Sequence, residues 1–569
     1  MGVCKTFSPP LTFDRVMEGR PVTARESPLF RIPMEILAII TSYLVGNGRD
    51  LASLALVNSD CRQLARSCQF RTVKLDTSPR AQDILGVLQR ETIERRRNRG
   101  HASSPAISAC IRRAIINNDD YFDQVSVMKL QEMSRYNDTE EAFDADEEKS
   151  RQWKAQVDAL NHRLTEHFHP TAIFVISGLV HLETLELGEV EWNQGLLNDL
   201  VASTVRHLSI EDSQLCGVVP AMNDDVVWPL ETLDADFRFN FLDDRPRFGL
   251  NPSNAWTALL RMCSESLQGL RLSYHASNLD DEVVSVSLKF PQLRRLDITL
   301  ARHLDQSTLS SLILTSPRLS KLSVNYGHPP TRELLDREGR IPSLVTLVLF
   351  HVPDNEYGAV AMNIPATSQL PFVKMNPQLK AFAIQGPGSP GFLERVLGIL
   401  KPFPQLRTLS MNWDGVDIPN SGLNALASLS KLEAIHLSVG RYLGGRQNWA
   451  IDHATIIKHL KPLKSLKQVA FTRDAYVYES EEGQPFLYDD YYDLRDYGGE
   501  SHRQAMHTEA RKYVEAFPLL DLIHLGHISF DIGRVKNVPR LNSRFNEMFS
   551  WKDDMFGFST STHRSGVLL

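Results

Sequence analysis

Cysteine is scarce in this sequence, and its scarcity excludes one class of protein. The 569 residues include six cysteines, and no two of them form a C-x-x-C pair. Small secreted domains depend on dense disulfides, and many structural zinc sites use paired cysteines. The cysteine usage therefore predicts an intracellular protein, cytoplasmic or nuclear, with reduced thiols and no metal site.

A long apolar run, a strong charge of one sign and the common catalytic motifs are also missing. The longest apolar stretch, residues 344–352, suits a buried strand and is far shorter than the roughly 18 residues of a membrane span. Acidic residues (69) outnumber basic ones (62), which disfavours a general nucleic-acid binder. No P-loop, nucleophile elbow or zinc-protease motif is present, so we predict neither an enzyme nor a bound cofactor.

Residues 30–75 have the pattern of three short helices that lead into a strand. After Pro33, apolar residues recur at helical spacing: Ile36, Leu37, Ile40 and Leu44. Asp50 is placed to cap the second helix, and the third covers about residues 61–68. Residues 70–75 then alternate as a strand does.

The particular residues of this segment resemble the F-box motif. The resemblance is carried by Ile32-Pro33, Glu35-Ile36-Leu37, Ile40, Tyr43-Leu44, Asp50-Leu51, Leu54, Val57-Asn58, Cys61-Arg62, Leu64-Ala65 and Phe70-Arg71. It implies docking on the Skp adaptor of a cullin–RING ubiquitin ligase, through Ile32, Pro33, Glu35, Ile36, Leu37, Ile40, Leu44, Leu51, Leu54 and Val57. So small a bundle cannot bury all its apolar side chains, which favours docking. The alternative is that the helices only cap the fold that follows.

A phrase of the form L-x-x-L-x-L recurs twelve times between residues 182 and 525. Its first anchors are Leu182, Val205, Leu230, Leu267, Leu293, Leu319, Leu344, Leu379, Leu406, Leu432, Leu466 and Leu520. Spacings of 25 and 26 residues recur, which is typical of leucine-rich repeats. Each phrase predicts a strand, and the gaps predict helices such as 308–314 and 392–400. Weaker phrases at 73–75 and 111–116 allow the array to start directly after the first helices.

These patterns predict an α/β solenoid: a three-helix F-box followed by an irregular leucine-rich-repeat horseshoe, with parallel strands on the concave face and helices on the convex face. The predicted segments are a disordered tail (1–29), the F-box (30–75), irregular first repeats with a helical acidic linker (76–178), the repeat array (179–530) and a C-terminal tail (531–569). Insertions are predicted within the array at 352–378 and 473–510.

The side chains between the anchors of each strand are predicted to form a substrate-binding surface, because they point to the concave face. The candidates on the strands are Asp234, Asp236, Arg271, Arg295, Asp297, Lys321, Asn325, Phe350, Asn412 and His436. Just past the strands, four aromatic residues are candidates for a binding rim or, alternatively, for closing the core: Phe237, Tyr274, Tyr326 and Trp413.

Three short segments carry further signals. Gly2 and Thr6 fit the M-G-x-x-x-[ST] acylation pattern, and Cys4 is a candidate for a second acyl anchor; the alternative is an ordinary tail without lipid. Residues 474–500 hold six tyrosines and nine acids, which suits either contact with a basic partner or a solvated loop. The basic run 95–99 is a nuclear import signal or a phosphate-binding patch or, alternatively, a charged helix end.

The leading functional prediction is a non-catalytic substrate-recognition subunit of a Skp–cullin–F-box ubiquitin ligase. Its partners are then the Skp-type adaptor, through it the cullin and RING subunits, and a protein substrate that the sequence does not name. Neither nucleic acid nor an integral membrane span is expected, although acylation would allow peripheral attachment. The alternative is an interaction scaffold that binds Skp alone or uses the helices only as a cap.

Overall fold

A computed structural model of the protein describes residues 11–18, 20–23, 27–44, 47–76, 78–98, 106–117, 168–188, 190–192, 194–211, 214–215, 227–238, 259–275, 288–298, 306–326, 329–336, 339–350, 370–414, 417–439, 451–471, 477–479, 485–487, 499–525, 528–535 and 538–545. The chain forms two compact units. The N-terminal unit comprises residues 6–267 with 274–276, and the C-terminal unit comprises the remainder.

The N-terminal unit combines a helical bundle with parallel strands. Its helices are α1 (Phe13–Val16), α2 (Met34–Ser42), α3 (Gly48–Ala55), α4 (Ser59–Gln69), α5 (Pro79–Arg97), α6 (His169–Ile176) and α7 (Gln194–Val201). Its strands are β1 (Thr72–Leu75), β2 (Arg113–Ile116), β3 (Thr184–Gly188), β4 (Glu191–Trp192), β5 (His207–Glu211), β6 (Gln214–Leu215) and β7 (Thr232–Arg238). Strands β1, β2, β3, β5 and β7 pair in this order, all parallel, and β4 pairs with β6.

The C-terminal unit continues the alternation of strands and helices. Its helices are α8 (Gln306–Leu314), α9 (Pro329–Leu335), α10 (Pro371–Lys374), α11 (Pro390–Leu400), α12 (Asn420–Ala427), α13 (His453–Leu460) and α14 (Gly499–Ala516). Its strands, beginning with β8, most of which belongs to this unit, are β8 (Gly269–His275), β9 (Arg295–Ile298), β10 (Lys321–Asn325), β11 (Thr346–Phe350), β12 (Ala381–Gly388), β13 (Thr408–Trp413), β14 (Ala434–Val439), β15 (Gln468–Phe471), β16 (Val477–Glu479), β17 (Pro485–Leu487), β18 (Leu522–Leu525), β19 (Ile528–Val535) and β20 (Val538–Phe545).

The strands of the C-terminal unit pair mainly in parallel. Strands β8 to β15 pair in chain order, and β18 pairs with β15. The chain then reverses, because β19 and β20 follow as antiparallel strands. Strands β16 and β17 form a separate antiparallel pair.

Each of the twelve sequence phrases forms a strand that begins two residues after its first anchor. The register aligns equivalent anchors across neighbouring strands, as in Leu296, Leu322 and Leu347, all of which are fully buried. Because successive side chains of a strand alternate between faces, these anchors stack into a continuous apolar core. The coarse prediction of an α/β solenoid of the leucine-rich-repeat type, with parallel strands and intervening helices, is confirmed.

The prediction of a disordered tail over residues 1–29 is corrected for the described residues 11–18, 20–23 and 27–29. Phe13 and Val16 of α1 are fully buried, and Phe13 stacks on Phe30 with 5.2 Å between ring centroids. Polar neighbours hide this short apolar segment in the sequence, but four large apolar residues within seven positions bury enough area to order it. The segment is Leu11, Phe13, Val16 and Met17 with their neighbours.

The predicted C-terminal tail is also corrected, because residue 531 lies in the middle of β19. Ile528 and Phe530 are buried in this strand, and β20 extends to Phe545. The L-x-x-L-x-L pattern misses both strands because an antiparallel hairpin ends the array with a different apolar spacing.

Local capping differs from the sequence prediction at one helix. The side chain of Asn47, rather than that of Asp50, caps α3 by accepting a hydrogen bond from the Asp50 backbone amide. Asn58 caps α4 in the same way. No helix within the described ranges is long and apolar enough to cross a membrane.

Several predictions lie outside the described residues. These are the acylation residues Gly2 and Cys4, the acidic linker 138–148, the first part of the insertion at 352–378, and most of 473–498. The described parts of the two insertions contain α10, the β16–β17 pair and the start of α14.

Candidate functional site: an apolar docking surface and a strand face

The inner face of α2 belongs to the core of the helical bundle. Leu37 is fully buried and joins Phe13, Phe30, Cys61 and Leu64 in one apolar cluster. Burial raises the pKa of the Cys61 thiol, which favours its neutral form. The side chain of Leu37 is therefore a core element that fixes α2 on the bundle.

The outer face of α2 exposes four apolar side chains that recur at i, i+3, i+4 and i+7, so they lie on one side of the helix. Their exposed fractions are 47% for Ile36, 46% for Ile39, 44% for Ile40 and 83% for Tyr43. Two more exposed apolar residues, Leu56 (83%) and Val57 (67%), follow the end of α3. We name these six residues, which share exposure of an apolar side chain on the bundle, the docking surface.

The docking surface overlaps only partly with the predicted adaptor-binding residues. Pro33, Glu35, Ile36, Ile40 and Val57 are exposed, whereas Ile32, Leu44 and Leu54 are half-buried. Leu37 and Leu51 are buried, so their prediction as contact residues is corrected: helical spacing alone did not separate the inner face from the outer one. The predicted set does not include the exposed residues Ile39, Tyr43 and Leu56, although counting three and seven positions from Ile36 reaches the first two.

A second candidate region lies on the strands of the C-terminal unit. One residue of each strand, placed between two apolar anchors, pairs in register with its equivalents on the neighbouring strands. We name this row the strand face: Arg271, Asp297, Ser323, Val348, Ala383, Ser410, His436, Ala470 and His524. All nine side chains are buried, the charged ones included.

The strand face is ionic over β8 to β10. A side-chain nitrogen of Arg271 lies 3.9 Å from a carboxylate oxygen of Asp297. Arg295 and Lys321 are register partners in the flanking row, and both are half-buried. Burial, followed by the charge of Arg295, lowers the pKa of Lys321. Like charges opposite each other on paired strands cost stability, and the buried Asp297 carboxylate lies on the same strands.

The next strands change from ionic to apolar and then to hydroxyl and imidazole groups. Val348, Ala381 and Ala383 form a small apolar cluster on β11 and β12, with Phe350 packed against it. On β13 and β14, the Ser410 hydroxyl oxygen and His436 Nδ1 are hydrogen-bonded at 2.6 Å. The strand face therefore has three chemically distinct zones along the unit.

Burial separates the predicted substrate-binding residues into two groups. Those with partly exposed side chains are Asp234, Arg295, Lys321 and Phe350. Those that are buried are Arg271, Asp297, Asn325, Asn412, His436, Tyr326 and Trp413. Burial raises the pKa of the Tyr326 hydroxyl, and Trp413 is fully buried, so these two aromatic residues close the core rather than form a rim. The side chains of Asp236, Phe237 and Tyr274 lie outside the described residues.

The chemistry of the described residues offers no cluster of metal ligands. No group of three or more His, Cys, Asp or Glu side chains in the described ranges is placed to hold a metal ion. Cys263 is buried, and burial raises its thiol pKa to about 12. A thiol held neutral in this way is a poor nucleophile.

Comparisons with known proteins do not define a family for this chain. No family model matches it, and no curated protein matches it. Among solved structures 41 chains match, one of them in the crystal structure of a TLR13–ssRNA13 complex. That match covers 53% of this chain and 37% of the other chain, at 15% sequence identity and a TM-score of 0.28. A likeness of this size defines neither family nor function.

Proposed function

We propose that this protein is the substrate-recognition subunit of a Skp–cullin–F-box ubiquitin ligase. In this proposal the docking surface binds a Skp-type adaptor, and the partly exposed residues beside the strand face contact a protein substrate. The observation that carries the proposal is the exposed apolar stripe on α2, in the segment whose residues resemble an F-box.

The energetics of the docking surface favour a protein partner. Burying one Ile or Leu side chain fully stabilises by about 1.5–3 kcal/mol, so a partner that covers the three half-exposed isoleucines of α2 and the more exposed Leu56 would gain several kcal/mol. Soluble proteins rarely group exposed apolar residues in this way unless a partner covers them. Tyr43 is the most exposed of the four on α2, and tyrosine is a frequent anchor at protein interfaces.

The chain itself supplies proximity in this proposal. The ubiquitin-transfer chemistry takes place on the partner subunits, and the receptor holds a substrate lysine near the loaded enzyme. Such tethering converts a bimolecular encounter into an effectively intramolecular one, at a concentration that the geometry of the assembly sets.

The test compares the full-length chain with a variant that carries Ile40→Asp and Tyr43→Asp. Both side chains are exposed, so the bundle should fold, while two charges in the docking surface should weaken binding of a purified Skp-type adaptor by about 100-fold or more. Leu519→Asp is the matched control, since Leu519 is 50% exposed in the C-terminal unit. Isothermal titration calorimetry with wild-type and variant chains gives the affinities.

Adaptor binding that is absent in the wild type, or equal in all three chains, would falsify the proposal. The scaffold alternative has one observation in its favour: Gln63 of α4 donates a 3.0 Å hydrogen bond to the Ala106 carbonyl, so the bundle packs on the first repeat segment. Co-purification distinguishes the two functions. Recovery of adaptor together with cullin supports the ligase subunit, whereas adaptor without cullin supports the scaffold.

A further inference from the structure

The segment that precedes the bundle is attached to the helices that carry the docking surface. Phe13 stacks on Phe30, and both belong to the apolar cluster that contains Leu37. Further along, the Thr23 hydroxyl donates a 2.8 Å hydrogen bond to Asp60 in the first turn of α4. The segment is thus joined to α2 through the core and to α4 through a polar contact.

The same segment is also attached to the first strand-and-helix units. Glu18 forms an ion pair with Arg95 near the end of α5, and the Arg95 side chain is only 4% exposed. Arg95 also donates to the Ser108 hydroxyl, which precedes β2. Ahead of β3, His181 Nε2 donates a 3.1 Å hydrogen bond to the Arg15 carbonyl.

The backbone at Glu18 indicates that its side chain matters. Glu18 adopts φ 54°, a left-handed conformation that is strained for a residue with a Cβ and easy for glycine. Such strain persists only where the surroundings hold it in place. The carboxylate that this conformation directs toward Arg95 supplies that hold.

We propose that Glu18 and Arg95 are positioning residues that fix the docking surface in one orientation relative to the first strands, β2 to β5. The buried pair closes a bridge from α2 and α4, through residues 11–18 and 20–23, to α5 and the residues before β3. The importance of this pair for substrate presentation rests on the proposed adaptor docking. The fixed orientation of the bundle itself does not require an adaptor. Removing one partner leaves a buried charge without its counterion, which destabilises far more than removing both.

The experiment measures distances by electron paramagnetic resonance in the full chain, with spin labels introduced through non-natural amino acids. One label pair, at Ala52 and Ala202, reports the bundle against the repeats, and both side chains are exposed. A second pair, at Ala52 and Gln69, reports the bundle alone. The variants are Glu18→Gln and a double variant, Glu18→Leu with Arg95→Leu. The matched control is Glu231→Gln, because Glu231 pairs with Arg206 in the same unit at a more exposed site, where the two side chains are 31% and 62% exposed.

In the wild type and the control, we expect a narrow distribution of Ala52–Ala202 distances. In Glu18→Gln, we expect this distribution to be at least twice as broad. The Ala52–Gln69 distance should stay unchanged. If Glu18→Gln alone unfolds the bundle, the double variant is the test, since it buries no lone charge. A broad distribution of Ala52–Ala202 distances in the double variant supports the proposal. A narrow distribution overturns it. If both variants lose the defined Ala52–Gln69 distance of the wild type, the proposal is also overturned. The Glu18–Arg95 ion pair would then hold the bundle together rather than position it. Adaptor affinity, measured separately, tests the proposed function independently.

Discussion

Neighbouring positions of α2 differ sharply in the burial of their side chains. Leu37 is fully buried and Ile36 is 47% exposed, although both fit the same apolar spacing. Helical periodicity predicts the helix from sequence, but it cannot say which apolar side chains face the core when the helix has two apolar faces. The decision depends on α1, whose Phe13 covers the Leu37 side, and no periodic pattern marks α1 in the sequence.

His181 gives a pH prediction for the N-terminal unit. Its Nδ1 accepts from the Arg15 guanidinium at 3.4 Å and its Nε2 donates to the Arg15 carbonyl, so the contact uses the neutral imidazole. Burial is the main cause that lowers the pKa of His181 below its ordinary value. As pH falls below about 6.5, the unfolded chain therefore binds a proton that the folded chain resists, and stability decreases.

The matched variant is His181→Gln, which keeps a donor and an acceptor but does not titrate. The melting temperatures of the two chains should agree most closely near pH 7.5. Between pH 6.5 and 5, the melting temperature of the wild type should fall more steeply than that of His181→Gln. His169 and His207 also have pKa values lowered by burial, so the variant should retain part of the decline. Identical slopes in both chains would contradict a role for His181.

The elements of the repeat array are the part of the fold that sequence predicts best. All twelve phrases mark strands, and helices near 308–314 and 392–400 are present as α8 and α11. The reason is that each repeat must bury the same anchors against its neighbours, so the pattern is imposed many times. The elements at the two ends of the described part of the chain, α1 and the β19–β20 hairpin, are not predicted from the sequence. Each occurs once and has its own apolar spacing, so no recurring pattern marks it in the sequence.

The β19–β20 hairpin provides a prediction at this scale. Ile528 and Phe530 are buried, and β19 pairs along the whole of β18. A chain that ends at residue 527 would leave β18 as an open edge with apolar side chains beside it, a combination that promotes aggregation. We expect this chain to elute as an aggregate in size-exclusion chromatography. A control chain that ends at residue 545 should elute at the volume of a single chain of its own mass, as the full-length protein does.

A soluble, monodisperse chain without residues 528–569 would show that the hairpin is dispensable as a cap. A second variant separates loss of the edge from loss of core area. Phe530→Ala keeps the strand pairing and removes one buried ring, at a cost of about 3–5 kcal/mol. It should therefore lower stability without producing the aggregate that the truncation gives.

For the whole molecule, the charge and the core have different distributions along the chain. The acidic segments 138–148 and 474–500 together carry a net charge of -15, against -7 for the whole chain, while the apolar anchors recur from β1 to β19. The repeating core is readable from sequence because it is periodic. Which polar side chains of the strand face are buried cannot be read from the sequence. The burial of Arg271, Asp297 and His436 depends on tertiary packing that no repeat pattern encodes.

Stability in such an array should be local rather than global, because each repeat contacts mainly its neighbours. Leu409 of β13 is fully buried and pairs in register with Phe382 and Ile435. Leu409→Ala should cost about 2–5 kcal/mol, which is a factor of roughly 30 or more in local opening. Hydrogen exchange by mass spectrometry should show this acceleration in β12, β13 and β14, and little change in α2 to α4. Gln405→Ala, at an exposed position just before β13, is the matched control and should leave all peptides unchanged. Equal acceleration in the bundle and in the array would show instead that the chain opens as one cooperative unit, and the additive description of the repeats would then fail.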